Sequence, residues 1–154
     1  MGAELRKEAC TMALYVAICL LAALIALPDS AHAHLVRLIW GVTVGLALAH
    51  WFAFRLSARL VGAGTIRAHD LESAGAQLGG AAGAGLLATL AVLVAPDSAE
   101  REVAEYVLAA LIGAVGFVVA RGAGATRVAA LLYACTVLVA AVAIAVVKNV
   151  LAGH

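Results

Sequence analysis

The sequence predicts an all-α protein, a polytopic bundle of transmembrane helices. Of its 154 residues, 66% are hydrophobic and only 12% are charged, and the mean hydropathy is +1.09. A water-soluble domain of this length carries more charge on its surface. The apolar residues also form blocks that match the roughly 20 residues needed to cross a bilayer. We therefore expect residues 1–154 to form one transmembrane domain, with the lipid bilayer as its main partner.

Five apolar blocks have the length of a membrane span. Pro28 and Pro96 end two of the helices, and Gly122 with Gly124 opens the turn before the last one. The fourth block is near the lower length limit, so a four-span arrangement is the main competitor. The predicted spans cover residues 9–27, 35–54, 74–95, 103–120 and 128–147.

The first block also has some features of a signal peptide. Arg6 and Lys7 precede it, and "AHA" at residues 31–33 resembles a cleavage site. Its apolar stretch is longer than the roughly 7–15 residues usual in signal peptides. We therefore expect it to be retained as a span.

The basic residues predict the orientation of the bundle. Seven of the ten lie on the side of the N-terminus and three on the other side. The positive-inside rule therefore puts the N-terminus in the cytoplasm of a bacterial cell and the C-terminus outside, as an odd number of spans requires. The seven are Arg6, Lys7, Arg55, Arg59, Arg67, Arg121 and Arg127, and the three are Arg37, Arg101 and Lys148.

A shift of 68 residues aligns two parts of the chain. "PDSA" occurs at residues 28–31 and again at 96–99, and Gly45 then falls on Gly113. The first two spans would match the third and fourth as a parallel two-helix repeat, related by an axis along the membrane normal. Chance similarity in an alanine-rich chain is the alternative.

Composition and motifs disfavour several functions. A net charge of +1 gives no basic surface for nucleic acid. The three cysteines have no C-x-x-C spacing, which argues against a disulfide framework or a zinc ribbon. The hydrolase, zinc-protease and phosphate-binding signatures are missing from the sequence. We expect neither catalysis nor a cofactor.

Polar residues inside the predicted spans are the first candidates for function. Ionisable groups at membrane depth are costly, and so they commonly mark a transport path. Arg37 could instead extend to the outer headgroups or pair with Glu105, and His50 could be a structural residue of the cytoplasmic interface. The candidates for transport are Arg37, Thr43, His50, Gln77 and Glu105.

The third span carries the strongest pattern, "AGAQLGGAAGAG". Gly75, Gly79 and Gly83 recur at every fourth position. Such a face lets helix backbones approach closely, which replaces the hydrophobic driving force that lipid removes. Packing within the chain, packing between subunits of a homo-oligomer, and a smooth pore lining are all consistent with it.

The outer turns carry histidines in one half and glutamates in the other. His32 and His34 align with Glu100 and Glu102 in the 68-residue repeat. Imidazole and carboxylate groups bind divalent metals and respond to pH, so these four residues could form an outer-face sensor. Helix capping is the simpler interpretation, with Asp97 as the N-cap of the fourth helix.

The stretch "IWGVTVGLALAHWFAFRLSARL", with the Ala- and Gly-rich remainder, resembles uncharacterised small multi-pass membrane proteins of high-GC actinobacteria. The resemblance covers chiefly the second span and its flank. It implies a multi-pass protein of the bacterial inner membrane and carries no function with it.

Three hypotheses are consistent with these patterns. The first is a small oligomeric channel or transporter for an ion or small solute. The second is a non-catalytic assembly or scaffold subunit. The third is the outer-face metal or pH sensor. Convergence of Thr43, His50 and Gln77 on a cavity would favour transport, whereas a dry core of Ala, Gly and Leu would favour the scaffold.

Overall fold

A computed structural model describes residues 2–27, 34–61 and 68–151, and within these ranges the protein is a bundle of five α-helices. Each helix includes a stretch long and apolar enough to span a membrane. The prediction of an all-α protein with five spans is therefore confirmed. These helices are those of a multi-pass membrane protein. The helices are α1 (Gly2–Ile25), α2 (Leu35–Val61), α3 (Ala68–Val94), α4 (Glu100–Gly122) and α5 (Arg127–Leu151).

The central element is α1, which packs against each of the other four helices. Val16, Leu20 and Leu24 on this helix are fully buried, as expected of a helix that is apolar around its circumference. Retention of the first span stays a prediction. The core of the bundle is completed chiefly by alanines of α3 and by Ala104, Leu108 and Ile112 of α4.

The closest helix contact joins α1 and α3. Gly80 lies directly against the backbone of Ala9, where no side chain would fit: a Cβ on Gly80 would overlap the Ala9 carbonyl oxygen. Gly85 gives similar room to the side chain of Thr43 on α2. Small residues on α3 therefore permit the backbone proximity on which helix association in lipid relies.

The turn between α4 and α5 is tied by local hydrogen bonds. Gly124 has a φ of +85°, a left-handed conformation that favours glycine. The Arg121 guanidinium donates to the carbonyl of Ala125 at 2.6 Å. This turn brings α5 back along α4, where Gly116 packs against Ala134 and Val137.

The start of α4 differs from the sequence prediction. Ala99 occupies the N-cap position, and no side chain of the described residues forms a capping hydrogen bond. Asp97 is therefore not the cap that the capping pattern predicts, because the helix begins later along the chain than that pattern requires. Glu100 and Glu102 lie in the first turn, where carboxylates favour the helix dipole.

Candidate functional site

A chain of hydrogen bonds joins three helices near the end of the bundle at which α1 begins, which we call the inner end. His50 Nε2 of α2 lies 2.9 Å from Gln77 Oε1 of α3. Gln77 Nε2 in turn donates to Glu8 Oε2 of α1 at 2.5 Å. One amide thus links an imidazole to a carboxylate across the bundle, and two of the predicted transport residues, His50 and Gln77, meet here.

The close packing of α1 on α3 positions this chain. Gln77 lies three residues before Gly80, so the two share a face of α3. Glu8 directly precedes Ala9, whose carbonyl contacts Gly80. The glycine therefore sets the distance across which the amide reaches the carboxylate.

The donors and acceptors of the chain have a definite direction. An ionised carboxylate can only accept hydrogen bonds, so the Gln77 NH₂ group must face Glu8. The amide oxygen then faces His50 and can only accept, which places a proton on His50 Nε2. Nδ1 of a neutral His50 is left as an acceptor.

The chain borders a half-open cavity of about 250 Å³. Its wall is predominantly apolar, with the three polar groups gathered on one part of it. Thr11 adds little polarity because its hydroxyl donates back to the Lys7 carbonyl at 2.9 Å. The lining residues are Glu8, Thr11, Met12, Tyr15, His50 and Gln77.

The three polar groups lie at one level of the bundle. Each is six or seven residues from the inner end of its candidate membrane-spanning stretch. At about 1.5 Å per residue, all three are roughly 9–11 Å along their helices from those ends.

Charge around the cavity is unbalanced. In the part of the chain that the structure describes, no basic side chain lies within 4.0 Å of the Glu8 carboxylate. The nearby Arg6 bonds instead to the Gly2 carbonyl of its own helix, at 3.1 Å. Arg55 stacks over Trp51, 4.9 Å from the ring centre, as expected for an interfacial belt. With Glu8 ionised and His50 neutral, the lining residues of the cavity carry a net charge of −1.

Thr43 does not join this site. It is 2% exposed, and its Oγ1 atom has no hydrogen-bond partner among the described residues. It packs beside Gly85 in the middle of the bundle, among apolar residues. The cavity thus brings together His50 and Gln77 but not Thr43, which lies in a core of the kind that would favour the scaffold.

The predicted glycine stripe lies on the outside of the bundle. Gly75, Gly79 and Gly83 are exposed, and each has open space where a Cβ would stand. The close approach within the chain occurs at Gly80 and Gly85 instead, because these positions face α1 and α2. Packing between subunits through the stripe stays a prediction.

At the outer end, Glu105 pairs with Arg101 rather than with Arg37. The guanidinium of Arg101 lies 3.7 Å from Glu105 and 3.7 Å from Glu102, and it donates to the Leu27 carbonyl at 3.0 Å. The expected pair between α2 and α4 is replaced by one within α4, because Glu105 is one turn from Arg101. Arg37 is exposed at this end.

The four predicted metal-binding residues do not form a described cluster. His34 and Glu100 line a second cavity, of about 360 Å³, together with Arg37. His32 lies outside the described residues, and Glu102 contacts Arg101. Among the described residues, no group of three or more His, Cys, Asp or Glu side chains is arranged to hold a metal ion.

The sequence prediction leaves out Glu8 and Tyr15 as site residues. The predicted first span begins at residue 9, one position after Glu8, and the helix extends beyond that span to Gly2. Glu8 lies in this extension of α1. The spacing of Glu8, Met12 and Tyr15 on one helical face was the available signal.

Comparison with known proteins assigns the chain to no family. No protein-family model matches the chain, and neither a curated protein nor a solved structure is significantly similar to it. The chemistry of the site is therefore the basis on which a function can be inferred.

Proposed function

We propose that the protein is a small channel or transporter, rather than an enzyme, that moves an ion or small solute across a bacterial plasma membrane. The observation that carries this proposal is the hydrogen-bonded chain of Glu8, Gln77 and His50 at a cavity. Polar side chains are few in these apolar helices, and three of them, from three different helices, converge here. Groups that can gain and release charge are useful where a solute or proton must pass.

Transport also requires a path to the outer side. The middle of the bundle is tightly packed, with Thr43 enclosed beside Gly85. The described arrangement therefore corresponds to a closed path with its site open near the inner end. In this proposal α3 moves against α1 and α2 to open the other side, and the small residues along it give a smooth surface for that movement.

Flux into proteoliposomes tests the proposal. We expect the wild-type protein to carry an ion or small solute, and Gln77→Leu to reduce the flux at least tenfold because it breaks both hydrogen bonds. Thr89→Val is a matched control on the same helix, since the Thr89 hydroxyl bonds only to the Gly85 carbonyl of α3 itself among the described residues. No flux of any ion or small solute across a range of pH would contradict transport.

We propose further that the transporter is a homo-oligomer assembled through the open glycine stripe. Gly75, Gly79 and Gly83 present a narrow groove that an adjacent helix could approach closely. Gly79→Leu should then lower the oligomeric mass measured by native mass spectrometry, whereas Leu78→Ala should not. An unchanged mass for Gly79→Leu would exclude this interface.

A non-transporting scaffold is the second candidate. The dry core around Thr43 and the open stripe favour it, because both serve packing alone. It predicts purification of the protein with a stable larger complex and no flux. In that case Gln77→Leu would change stability but no transport property.

A further inference from the structure

We propose that the inner cavity binds a small organic ammonium ion with an aromatic or branched apolar body, its charge at Glu8 and its body against Tyr15 and Met12. As a statement about cargo, this rests on the proposed transport function. As a statement about a binding site, it stands on the chemistry of the cavity.

The charge of the site selects a cation. Glu8 lines the cavity, and in the described part of the chain no basic side chain lies within 4.0 Å of its carboxylate. Gln77 uses one carboxylate oxygen, Oε2, as its acceptor. The carboxylate retains further acceptor capacity for a cationic ligand.

The apolar wall selects an organic ligand over a metal ion. Glu8, Met12 and Tyr15 follow one face of α1 at spacings of four and three residues. Glu8 and Tyr15 are seven residues apart, which is about 10 Å along the helix. A bare cation would reach only the carboxylate, whereas an arylalkylammonium ion would cover the apolar surface as well.

The aromatic ring of Tyr15 is accessible to the apolar body of such a ligand. Tyr15 is 49% exposed and lines the cavity, whereas Met12, which also lines it, is 3% exposed. Aromatic rings pair favourably with offset or edge-on partners, adding to the gain from apolar burial. The volume of about 250 Å³ limits the ligand to a single small ring with a short charged group.

The polar chain positions the carboxylate for this role. Gln77 holds Glu8 through its NH₂ group, and His50 holds Gln77 through Nε2. His50 and Gln77 are therefore positioning residues, which orient Glu8 toward the cavity. The ligand meets a carboxylate whose rotamer is already fixed, so less side-chain entropy is lost on binding.

Calorimetric titration of the full-length protein in nanodiscs tests the site. Benzyltrimethylammonium is the probe, because its charge is permanent. Tetramethylammonium supplies the charge without the ring, and benzyl alcohol supplies the ring without the charge. We expect the probe to bind at least about tenfold more tightly than either fragment, since both parts of the site contribute.

Three variants assign the contributions. Glu8→Gln removes the charge while keeping shape and an acceptor for Gln77, and we expect at least about a tenfold loss of affinity. Glu4→Gln, an exposed position one turn earlier, is its matched control and should bind as the wild type does. Tyr15→Phe should retain binding, whereas Tyr15→Leu should weaken it by roughly two- to fivefold.

The outcomes separate the site from the transport function. Equal affinity for the probe and its two fragments, or unchanged binding by Glu8→Gln, would overturn the site. Flux of another solute without probe binding would overturn the site and leave transport standing. Binding that depends on Glu8, with no flux of the probe or of any other solute, would support the site and contradict transport.

Discussion

Gly80 is the position where the addition of one methyl group should destabilise the fold most. A Cβ there would stand 2.8 Å from the carbonyl carbon of Ala9 and 3.0 Å from its Cα, and would overlap the oxygen. These atoms belong to the backbone of α1, which cannot rotate away as a side chain can. Gly80→Ala therefore requires α1 and α3 to separate.

The expected magnitude combines two terms of opposite sign. Alanine is better than glycine in a helix interior by about 0.8–1.0 kcal/mol. Forcing an extra methyl group into a closely packed interface costs typically about 1–3 kcal/mol and occasionally more. Since a backbone overlap is the severe case, we expect a net loss of at least about 1–2 kcal/mol in the free energy of unfolding.

Gly79→Ala is the matched control. It makes the same chemical change at the adjacent residue, where a Cβ meets nothing within 4 Å. This variant should be neutral or should gain up to about 1 kcal/mol from helix propensity. The free energies of unfolding of the two variants should thus differ by about 2 kcal/mol or more.

Reversible unfolding of the purified protein in mixed micelles, followed by far-ultraviolet circular dichroism, measures this difference. The same separation of helices should lengthen the bond from Gln77 to Glu8, so ligand binding or flux should fall in Gly80→Ala and persist in Gly79→Ala. Equal stability of the two variants would refute the close approach of α1 and α3. The polar chain would then need some other means of being held in position.

Three further predictions follow from the structure. Thr43→Val should stabilise the fold by about 1 kcal/mol in the same unfolding assay, because it replaces a buried hydroxyl without a partner by a methyl group; a loss would show that the hydroxyl has a polar role. Arg101→Gln should lower the free energy of unfolding by about 1.5–3 kcal/mol, because it removes the charged hydrogen bond to the Leu27 carbonyl after the end of α1. The control Arg37→Gln, at an exposed position, should be near neutral. Equal effects of the two variants would contradict this prediction. Labelling of intact cells with an impermeant reagent tests the orientation. A reporter before α1 should be protected in the cytoplasm, and a tag in the turn at residues 95–99 should be accessible from outside. The reverse pattern would contradict the orientation inferred from the basic residues.

The fold was predictable because its signal is spread along the chain. Five apolar blocks and their Pro and Gly interruptions determine the helices, and lipid leaves a polypeptide few alternatives to complete helices. The helix α1 extends seven residues before the predicted span, to Gly2. That extension places Glu8 within the helix, where it contacts Gln77.

The candidate site was predictable only in part. His50 and Gln77 stand out in the sequence because they are polar residues within apolar blocks. Their pairing is not visible there, since it depends on how α2 and α3 rotate about their axes. The glycines of α3 illustrate the same limit: they look alike in sequence, yet Gly80 meets a backbone and Gly79 faces open space.

The central position of α1 has a consequence for how the protein is made. This helix leaves the ribosome before α3 and α4, which help to bury it in the finished bundle. It must therefore remain in the bilayer without these neighbours for a time, and the mean hydropathy of 2.2 over its most apolar 18 residues suits it to do so. The corresponding stretch of the glycine-rich α3, at 1.7, is less apolar and arrives when α1 is already in place. Glu8 therefore meets its hydrogen-bond partner Gln77 only after α3 has been made.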